Sequence, residues 1–110
     1  MTDFADIRQL NTAVMRTMTS DQRFRAVVLH LQEERMFQDR KHGEIEKVPH
    51  TPAGWMLLIR KELEEAELAI IKGGQGRDSW RQELLQVAAT CIACLEQHGL
   101  AEPPIGVREI

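Results

Sequence analysis

Apolar residues recur along most of the chain at intervals of three and four positions, which is the spacing of an α-helix that buries one of its sides. The clearest case is segment 50–72. Its start is well marked, because the Thr51 hydroxyl can accept from the free N–H groups of a first turn and Pro52 fits the first helical position. Gly73-Gly74 is predicted to end it. Its predicted inward stripe comprises Trp55, Ile59, Leu63, Ala66 and Ile70, widened by Leu58 and Ala69.

The same spacing predicts three more helices. The first covers residues 3–18, and the second starts at the cap Thr19-Ser20-Asp21 and closes at Gly43. The last starts at Ser79, which is predicted to form a capping box with Gln82, and ends at Gly99 in a left-handed cap. The predicted inward stripes are Phe24, Val27, Val28 and Leu31 in the second helix, and Trp80, Leu84, Val87, Cys91, Cys94 and Leu95 in the last.

These patterns predict an all-α fold, a four-helix bundle in one domain of 110 residues. Strands are not expected, because the chain has no tyrosine but is rich in good helix formers. We assign residues 1–19 to an N-terminal helical arm, 20–99 to the helical domain and 100–110 to a C-terminal tail. The last helix carries a second apolar stripe, so we expect a homodimer or homotetramer to complete the bundle. The residues expected in that interface are Leu85, Ala88, Ala89 or Ile92.

Charge and cysteine content narrow the classes of function. The net charge of −3 argues against a protein that binds a nucleic-acid polymer or an anionic membrane, since both require a basic surface. No apolar run is long enough to span a membrane, and the acidic start lacks the layout of a signal peptide, so we expect a cytoplasmic protein. Cys91 and Cys94 lie within an apolar helix and are interpreted as packing residues rather than a redox or zinc pair. The four histidines lack ligand spacing and are expected at the surface or at helix ends.

Two kinds of glutamate occur in segment 50–72. Glu64 and Glu67 fall on its polar face, whereas Glu62 and Glu65 fall inside its apolar arc. Removing a carboxylate from water is strongly unfavourable without a partner, so buried acids are paired with cations or bound to metal. Glu62 and Glu65 therefore predict either ion pairs with Lys or Arg from a neighbouring helix, or a site for Mg²⁺, which carboxylate oxygens hold.

A second polar pair favours the metal site. Glu83 and Gln86 lie one turn apart in the last helix, and a short glycine loop can bring them beside the first pair. The inward stripe of the second helix also becomes polar as it continues. This continuation is either a solvated helix end or the lining of a pocket. Its residues are Glu34, Arg35, Gln38 and Lys41.

The order of these motifs resembles the MazG-like superfamily of all-α nucleoside triphosphate pyrophosphohydrolases, whose mark is Glu-x-x-Glu followed by Glu-x-x-Asp. Segment 34–43 resembles the Glu-Arg-x-x-Gln-x-x-Lys-Trp-Gly of a branch common in phage and bacterial genomes. Segment 50–55 resembles that branch's His-Thr-Pro-x-x-Trp, and segment 83–89 resembles its Glu-Leu-Val-Gln-Val-Ala-Ala. The resemblance covers residues 33–98.

The resemblance implies Mg²⁺-dependent hydrolysis of a (deoxy)nucleoside triphosphate to monophosphate and pyrophosphate, with Mn²⁺ as an alternative metal. It implies Glu62 and Glu65 as catalytic residues that also bind the metal, together with Glu83 and Gln86. It implies substrate binding by the polar continuation of the second helix. There, Arg35 and Lys41 are the candidates for phosphate contacts, Gln38 is the candidate for base or sugar, and Glu34 completes the set.

Two departures from the family pattern leave alternatives open. His42 stands where the branch has Trp, and Gln86 stands where enzymes of the superfamily have Asp. Gln86 offers a neutral oxygen, so the site has three carboxylates and is expected to hold Mg²⁺ less tightly. The alternatives to an enzyme are a catalytically weak or inactive nucleotide-binding or sequestering protein of the same fold, and a purely structural helical bundle.

Overall fold

The structure, a computed structural model, describes residues 12–43, 49–73 and 79–100. Its elements are the α-helices α1 (Thr12–Thr17), α2 (Ser20–His42), α3 (Pro52–Lys72) and α4 (Trp80–His98). No strand occurs within these ranges, so the predicted all-α class is confirmed. None of the helices described is both long and apolar enough to cross a membrane. Residues 1–11 of the predicted arm and 101–110 of the predicted tail lie outside the described residues.

The predicted start and end of α3 are confirmed. Thr51 is the N-cap, and its Oγ1 accepts from the backbone N–H of Gly54 at 3.0 Å. Pro52 is the first helical residue. Gly73 closes the helix in the left-handed region, with φ 65° and ψ 31°, and its N–H donates to the Ala69 carbonyl oxygen at 3.0 Å. Glycine suits this position because a Cβ makes left-handed backbone unfavourable.

The complete capping box forms at α2 rather than at α4. Thr19 Oγ1 accepts from the Gln22 N–H at 3.1 Å, and Gln22 Oε1 accepts from the Thr19 N–H at 2.9 Å. At α4, Ser79 Oγ accepts from the Gln82 N–H at 3.2 Å, as predicted. The Gln82 side chain, however, donates to Glu34 Oε1 on α2 at 2.8 Å. A partner on another helix has therefore displaced the local interaction that sequence reasoning assumed.

Glycines also end α2 and α4, at the predicted positions. The N–H of Gly43 donates to the Asp39 carbonyl oxygen at 2.9 Å, and that of Gly99 donates to the Leu95 carbonyl oxygen at 2.7 Å. The left-handed cap predicted at Gly99 is wrong, because its φ of 97° is combined with a ψ of 164°. The chain therefore leaves α4 in an extended direction.

Helix α4 is the element that contacts both of the other long helices. Its contact with α3 is the most extensive, and its contact with α2 is smaller. Small side chains make the α3–α4 contact, since Ala66 and Ala69 of α3 and Ala89 and Ala93 of α4 are buried. Alanines allow helix axes to approach closely, whereas longer side chains hold them apart. Trp55 is also buried and extends this core toward the start of α3.

The buried residues of α3 (Trp55, Ala66 and Ala69) all belong to its predicted inward stripe, whereas α4 is rotated relative to its predicted main stripe. Ala89, which was predicted at a subunit interface, is 0% exposed and belongs to the core of the single chain. Several larger residues of the predicted stripes are exposed, and on α3 and α4 the alanines occupy the positions of closest helix approach. These exposed residues are Phe24 and Val27 of α2, Leu63 and Ile70 of α3, and Trp80, Leu84 and Leu95 of α4.

Candidate metal centre

Three carboxylates converge where α3 packs against α4. Glu62 and Glu65 extend from α3 one turn apart, and Glu83 extends from the first turn of α4. Each offers a carboxylate oxygen, and these three oxygens all lie within 4.8 Å of one another. All three residues are half-buried, whereas Glu64 and Glu67 on α3 are exposed. The two kinds of acid predicted from the helical pattern therefore occupy different sides of α3.

This arrangement raises the pKa of Glu62. Burial is the largest cause, followed by repulsion from Glu65 and then from Glu83. Lys61 acts in the opposite direction, and the negative charge of Glu34 contributes a further upward shift of the pKa. The carboxylate of Glu62 is therefore stabilised by whatever brings positive charge to the cluster, either a proton or a cation.

Gln86 lies between two of these acids. With its amide oriented so that the nitrogen faces them, Nε2 donates to Glu83 Oε2 and to Glu62 Oε2, each at 3.2 Å. Its backbone carbonyl oxygen accepts from Thr90 Oγ1 at 2.8 Å. The residue predicted to supply a metal-binding oxygen is thus a hydrogen-bond donor in this arrangement, and it reduces the repulsion between two carboxylates. A half-turn of the amide exchanges the nitrogen for the oxygen.

The donor set of Glu62, Glu65 and Glu83 fits a hard divalent cation. Mg²⁺ binds oxygen at about 2.0–2.1 Å in octahedral geometry, which puts adjacent ligand oxygens roughly 3 Å apart. Oxygens within 4.8 Å of one another need only modest side-chain rotations to reach that spacing. Three protein ligands also leave coordination positions for water or for a ligand's oxygens, as is usual for Mg²⁺.

A cavity of about 310 Å³ lies beside the acids, and Glu62 belongs to both. This volume is at the lower end of the range of small-molecule sites. The wall combines apolar surface with groups that can form hydrogen bonds or carry charge. It is formed by Arg35, Gln38, Asp39 and Gly43, by His50, by Trp55, Leu58 and Lys61 together with Glu62, and by Thr90 and Ala93.

Arg35 and Gln38, two of the predicted substrate-binding residues, line this cavity. The Arg35 guanidinium is already engaged. Its Nη2 lies 3.2 Å from Asp39 Oδ1, its Nε lies 3.3 Å from Glu96 Oε1, and its Nη1 donates to Gln38 Oε1 at 3.2 Å. Because Glu96 belongs to α4, Arg35 connects α2 to α4.

The other two predicted substrate-binding residues are Glu34 and Lys41. Neither is among the described residues that line the cavity. Glu34 is 5% exposed and accepts from Gln82 Nε2 at 2.8 Å, so it is held between α2 and α4. Its charge acts on Glu62, which associates it with the acidic cluster rather than with the cavity. Lys41 is exposed near the end of α2.

His50 and Trp55 form a fixed edge of the cavity that the sequence interpretation missed. Gln97 Oε1 accepts from the His50 backbone N–H at 2.9 Å and from Trp55 Nε1 at 2.7 Å. The two rings meet edge to face, with centroids 4.9 Å apart. His98 Nε2 lies 2.8 Å from the His50 carbonyl oxygen. The spacing of His50 and Trp55 around the α3 cap is the signal that could have identified this pair.

Taken together, these residues can hold a cation and direct a water toward an anionic ligand in the neighbouring cavity. Lys61 and Thr90 are cavity residues that sequence reasoning did not select. The position of Lys61 directly before Glu62 was an available signal for it, and the position of Thr90 one turn after Gln86 was the signal for Thr90. Comparisons of the chain with protein-family models, with curated proteins and with solved structures found no match.

Proposed function

We propose that the protein is a Mg²⁺-dependent hydrolase that converts a (deoxy)nucleoside triphosphate to a monophosphate and pyrophosphate in the cytoplasm, with Mn²⁺ as an alternative metal. The observation that carries this proposal is the convergence of Glu62, Glu65 and Glu83 within 4.8 Å beside a cavity of about 310 Å³. The order of motifs, which resembles MazG-like pyrophosphohydrolases, supports the same reaction.

Different residues of the chain have different roles in this reaction. A bound metal supplies positive charge beside the phosphate oxygens and makes a coordinated water more acidic. Glu62, which belongs to both the cluster and the cavity, is placed to accept the proton of the water that attacks the α-phosphorus as pyrophosphate leaves. Trp55 and Leu58 offer apolar surface to a base, and Gln38 offers an amide to base or sugar.

The test is pyrophosphate release from a panel of ribo- and deoxyribonucleoside triphosphates, first with Mg²⁺ and then with a chelator. We expect Mg²⁺-dependent release that Glu62→Gln abolishes. Glu64→Gln is the matched control, because it removes the same charge from the exposed side of α3. Absence of release from every nucleotide with Mg²⁺ and with Mn²⁺ rules out the hydrolase.

A second function, nucleotide binding without catalysis, is favoured by the hydrogen bonds from Gln86 to Glu62 and Glu83 at 3.2 Å. They relieve part of the carboxylate repulsion without a metal. This reading predicts that calorimetry detects nucleotide binding to the wild type without pyrophosphate release, and that Gln86→Asp creates activity. A purely structural bundle binds neither nucleotide nor metal.

We also propose that the active form is a homodimer or homotetramer. Trp80, Leu84 and Leu95 lie outward on α4, at 38%, 47% and 45% exposure. Together they form one side of α4 that the described part of the chain covers only in part, with the Arg81 guanidinium 4.6 Å from the centre of the Trp80 ring. Burial of these side chains against a second copy is the simplest way to remove them from water.

A further inference from the structure

The positive charges around the cavity are not equally available to a ligand. Arg35 and Lys61 are the Arg and Lys residues among the described lining residues. The Arg35 side chain is only 13% exposed and contacts Asp39 at 3.2 Å and Glu96 at 3.3 Å. Two carboxylates therefore already balance its charge, and an anionic ligand would have to displace them.

Lys61 is in the opposite situation. It is exposed, lines the cavity, and forms no ion pair or hydrogen bond with any other residue that the structure describes. It directly precedes Glu62 in α3, so its ammonium group borders the acidic cluster on the cavity side. Its charge opposes the rise in the pKa of Glu62 that burial causes, but no ion pair with a described residue fixes its position, so this ammonium on a flexible stem can follow a phosphate chain as it moves.

We propose that Lys61, rather than Arg35, is the residue that binds the phosphate chain of the ligand, and that Arg35 is a positioning residue that holds α2 against α4. This inference rests on the proposed nucleotide function. The remaining wall explains how the ligand is oriented. Trp55, Leu58 and Ala93 are apolar residues of this wall, so a flat ring can pack against them while Lys61 holds the anionic chain.

The experiment compares Lys61→Met with Arg60→Met by calorimetry, with Mg²⁺ present. Arg60 is the adjacent residue, is exposed and is not among the described lining residues, so its variant removes the same charge without touching the cavity. The titrants are non-hydrolysable α,β-imido nucleoside triphosphates, the matching nucleosides and inorganic tripolyphosphate. We expect Lys61→Met to weaken binding of the triphosphates and of tripolyphosphate about tenfold, as for the loss of one charge-assisted contact. Nucleoside binding should not change, and Lys61→Arg should restore most of the affinity.

Arg35→Met is the second variant, and its thermal unfolding is followed beside its ligand binding. We expect a lower melting temperature and weaker binding of nucleoside and triphosphate alike, because the α2 wall of the cavity moves. Equal triphosphate affinity of Lys61→Met and Arg60→Met overturns the assignment of Lys61. A selective loss of triphosphate binding in Arg35→Met, with unchanged melting, also overturns it and assigns the phosphate contact to Arg35.

The outcomes separate this inference from the proposed function. If the wild type binds triphosphates but Lys61→Met behaves like Arg60→Met, the function stands and the inference fails. If the wild type binds tripolyphosphate through Lys61 but binds no nucleotide, the nucleotide function fails while Lys61 remains an anion-binding residue. If the wild type binds neither, both are wrong.

Discussion

Replacement of Gln86 by an acid changes two interactions at once. The amide donates to Glu62 and to Glu83, each at 3.2 Å, so an aspartate removes both hydrogen bonds and adds negative charge beside Glu62, Glu65 and Glu83. Without a metal both changes are unfavourable, whereas with a metal the added charge is favourable. If the proposed metal site forms, we therefore expect Gln86 to couple the stability of the helix pair to the binding of the cation.

We expect Gln86→Asp to lower the free energy of unfolding in chelator by about 1–2 kcal/mol, and to increase the stabilisation that Mg²⁺ produces. Thermal unfolding with chelator and across a Mg²⁺ titration measures both effects. Gln86→Met is the control, because it removes the donor and adds no charge. If Gln86→Asp is as stable as the wild type in chelator, the amide does not hold the carboxylates as described.

Glu62 gives the metal-free protein a pH dependence. Its folded-state pKa lies above the ordinary 4.5, so its contribution to stability is complete below 4.5 and is lost as the pH rises through the raised value. We expect the wild type in chelator to lose stability over this interval, and Glu62→Gln to lose less. Denaturant unfolding from below pH 4.5 to neutral pH measures the difference, and Mg²⁺ should abolish it, because the metal stabilises the ionised form. If the free energy of unfolding depends on pH in the same way in the wild type and in Glu62→Gln, Glu62 is not the source of the pH dependence.

At the scale of the helices, the sequence predicts where each helix starts and ends better than it predicts which of its residues are buried. Thr51, Pro52 and Gly73 fix the ends of α3 through interactions within one turn, and such interactions can be read from neighbouring letters. The predicted inward side of α3 holds the buried residues of that helix, whereas the buried side of α4 differs from its predicted main stripe. Alanines lie at the contact between α3 and α4, and Leu63 and Ile70 of the same predicted stripe are exposed. The stripe considered alone does not show which of its residues contact the neighbouring helix.

Gly73 provides a test of the α3 boundary. Its φ of 65° is unfavourable for a residue with a side chain, although no atom would obstruct an added Cβ within 4 Å. We expect Gly73→Ala to lower the free energy of unfolding by about 1 kcal/mol, and Gly73→Asn to cost less, because asparagine tolerates left-handed backbone. Chemical denaturation measures both variants. Equal stability of Gly73→Ala and the wild type would mean that the turn after α3 is not left-handed in solution.

At the scale of the whole molecule, the cavity was beyond sequence reasoning because three helices build it together with Gly43, which ends α2, and His50, which precedes the α3 cap. Glu62 and Glu65 were predictable from one helical wheel, and Glu83 from a second. Gln97, by contrast, is far in sequence from His50 and Trp55, which it contacts. A similar distance separates Glu34 from Gln82 on α4, so the sequence did not indicate the hydrogen bond that holds this carboxylate between two helices.

The outward apolar side of α4 predicts self-association. We expect the wild type to be a dimer or tetramer by light scattering at micromolar concentration, and Leu84→Glu to dissociate it, because a charge cannot be buried there without a partner. Gln32→Glu adds the same charge to an exposed position of α2 and should leave the assembly intact. A monomeric wild type would show that this surface is not covered by a second copy.

Because Gln97 is an acceptor shared by His50 and Trp55, helices α3 and α4 are joined at both of their ends. One end of the pair is joined by the chain segment that follows Gly73. The other end is joined by Gln97 Oε1, which accepts from His50 and Trp55 at 2.9 and 2.7 Å, and by His98 Nε2, which lies 2.8 Å from the His50 carbonyl oxygen. Helix ends ordinarily fray independently, whereas here the residues around the start of α3 and the last turn of α4 cannot separate without breaking these contacts. We expect the His50 amide and the amides of that last turn to exchange with deuterium at one common rate, and Gln97→Leu to make their exchange rates independent.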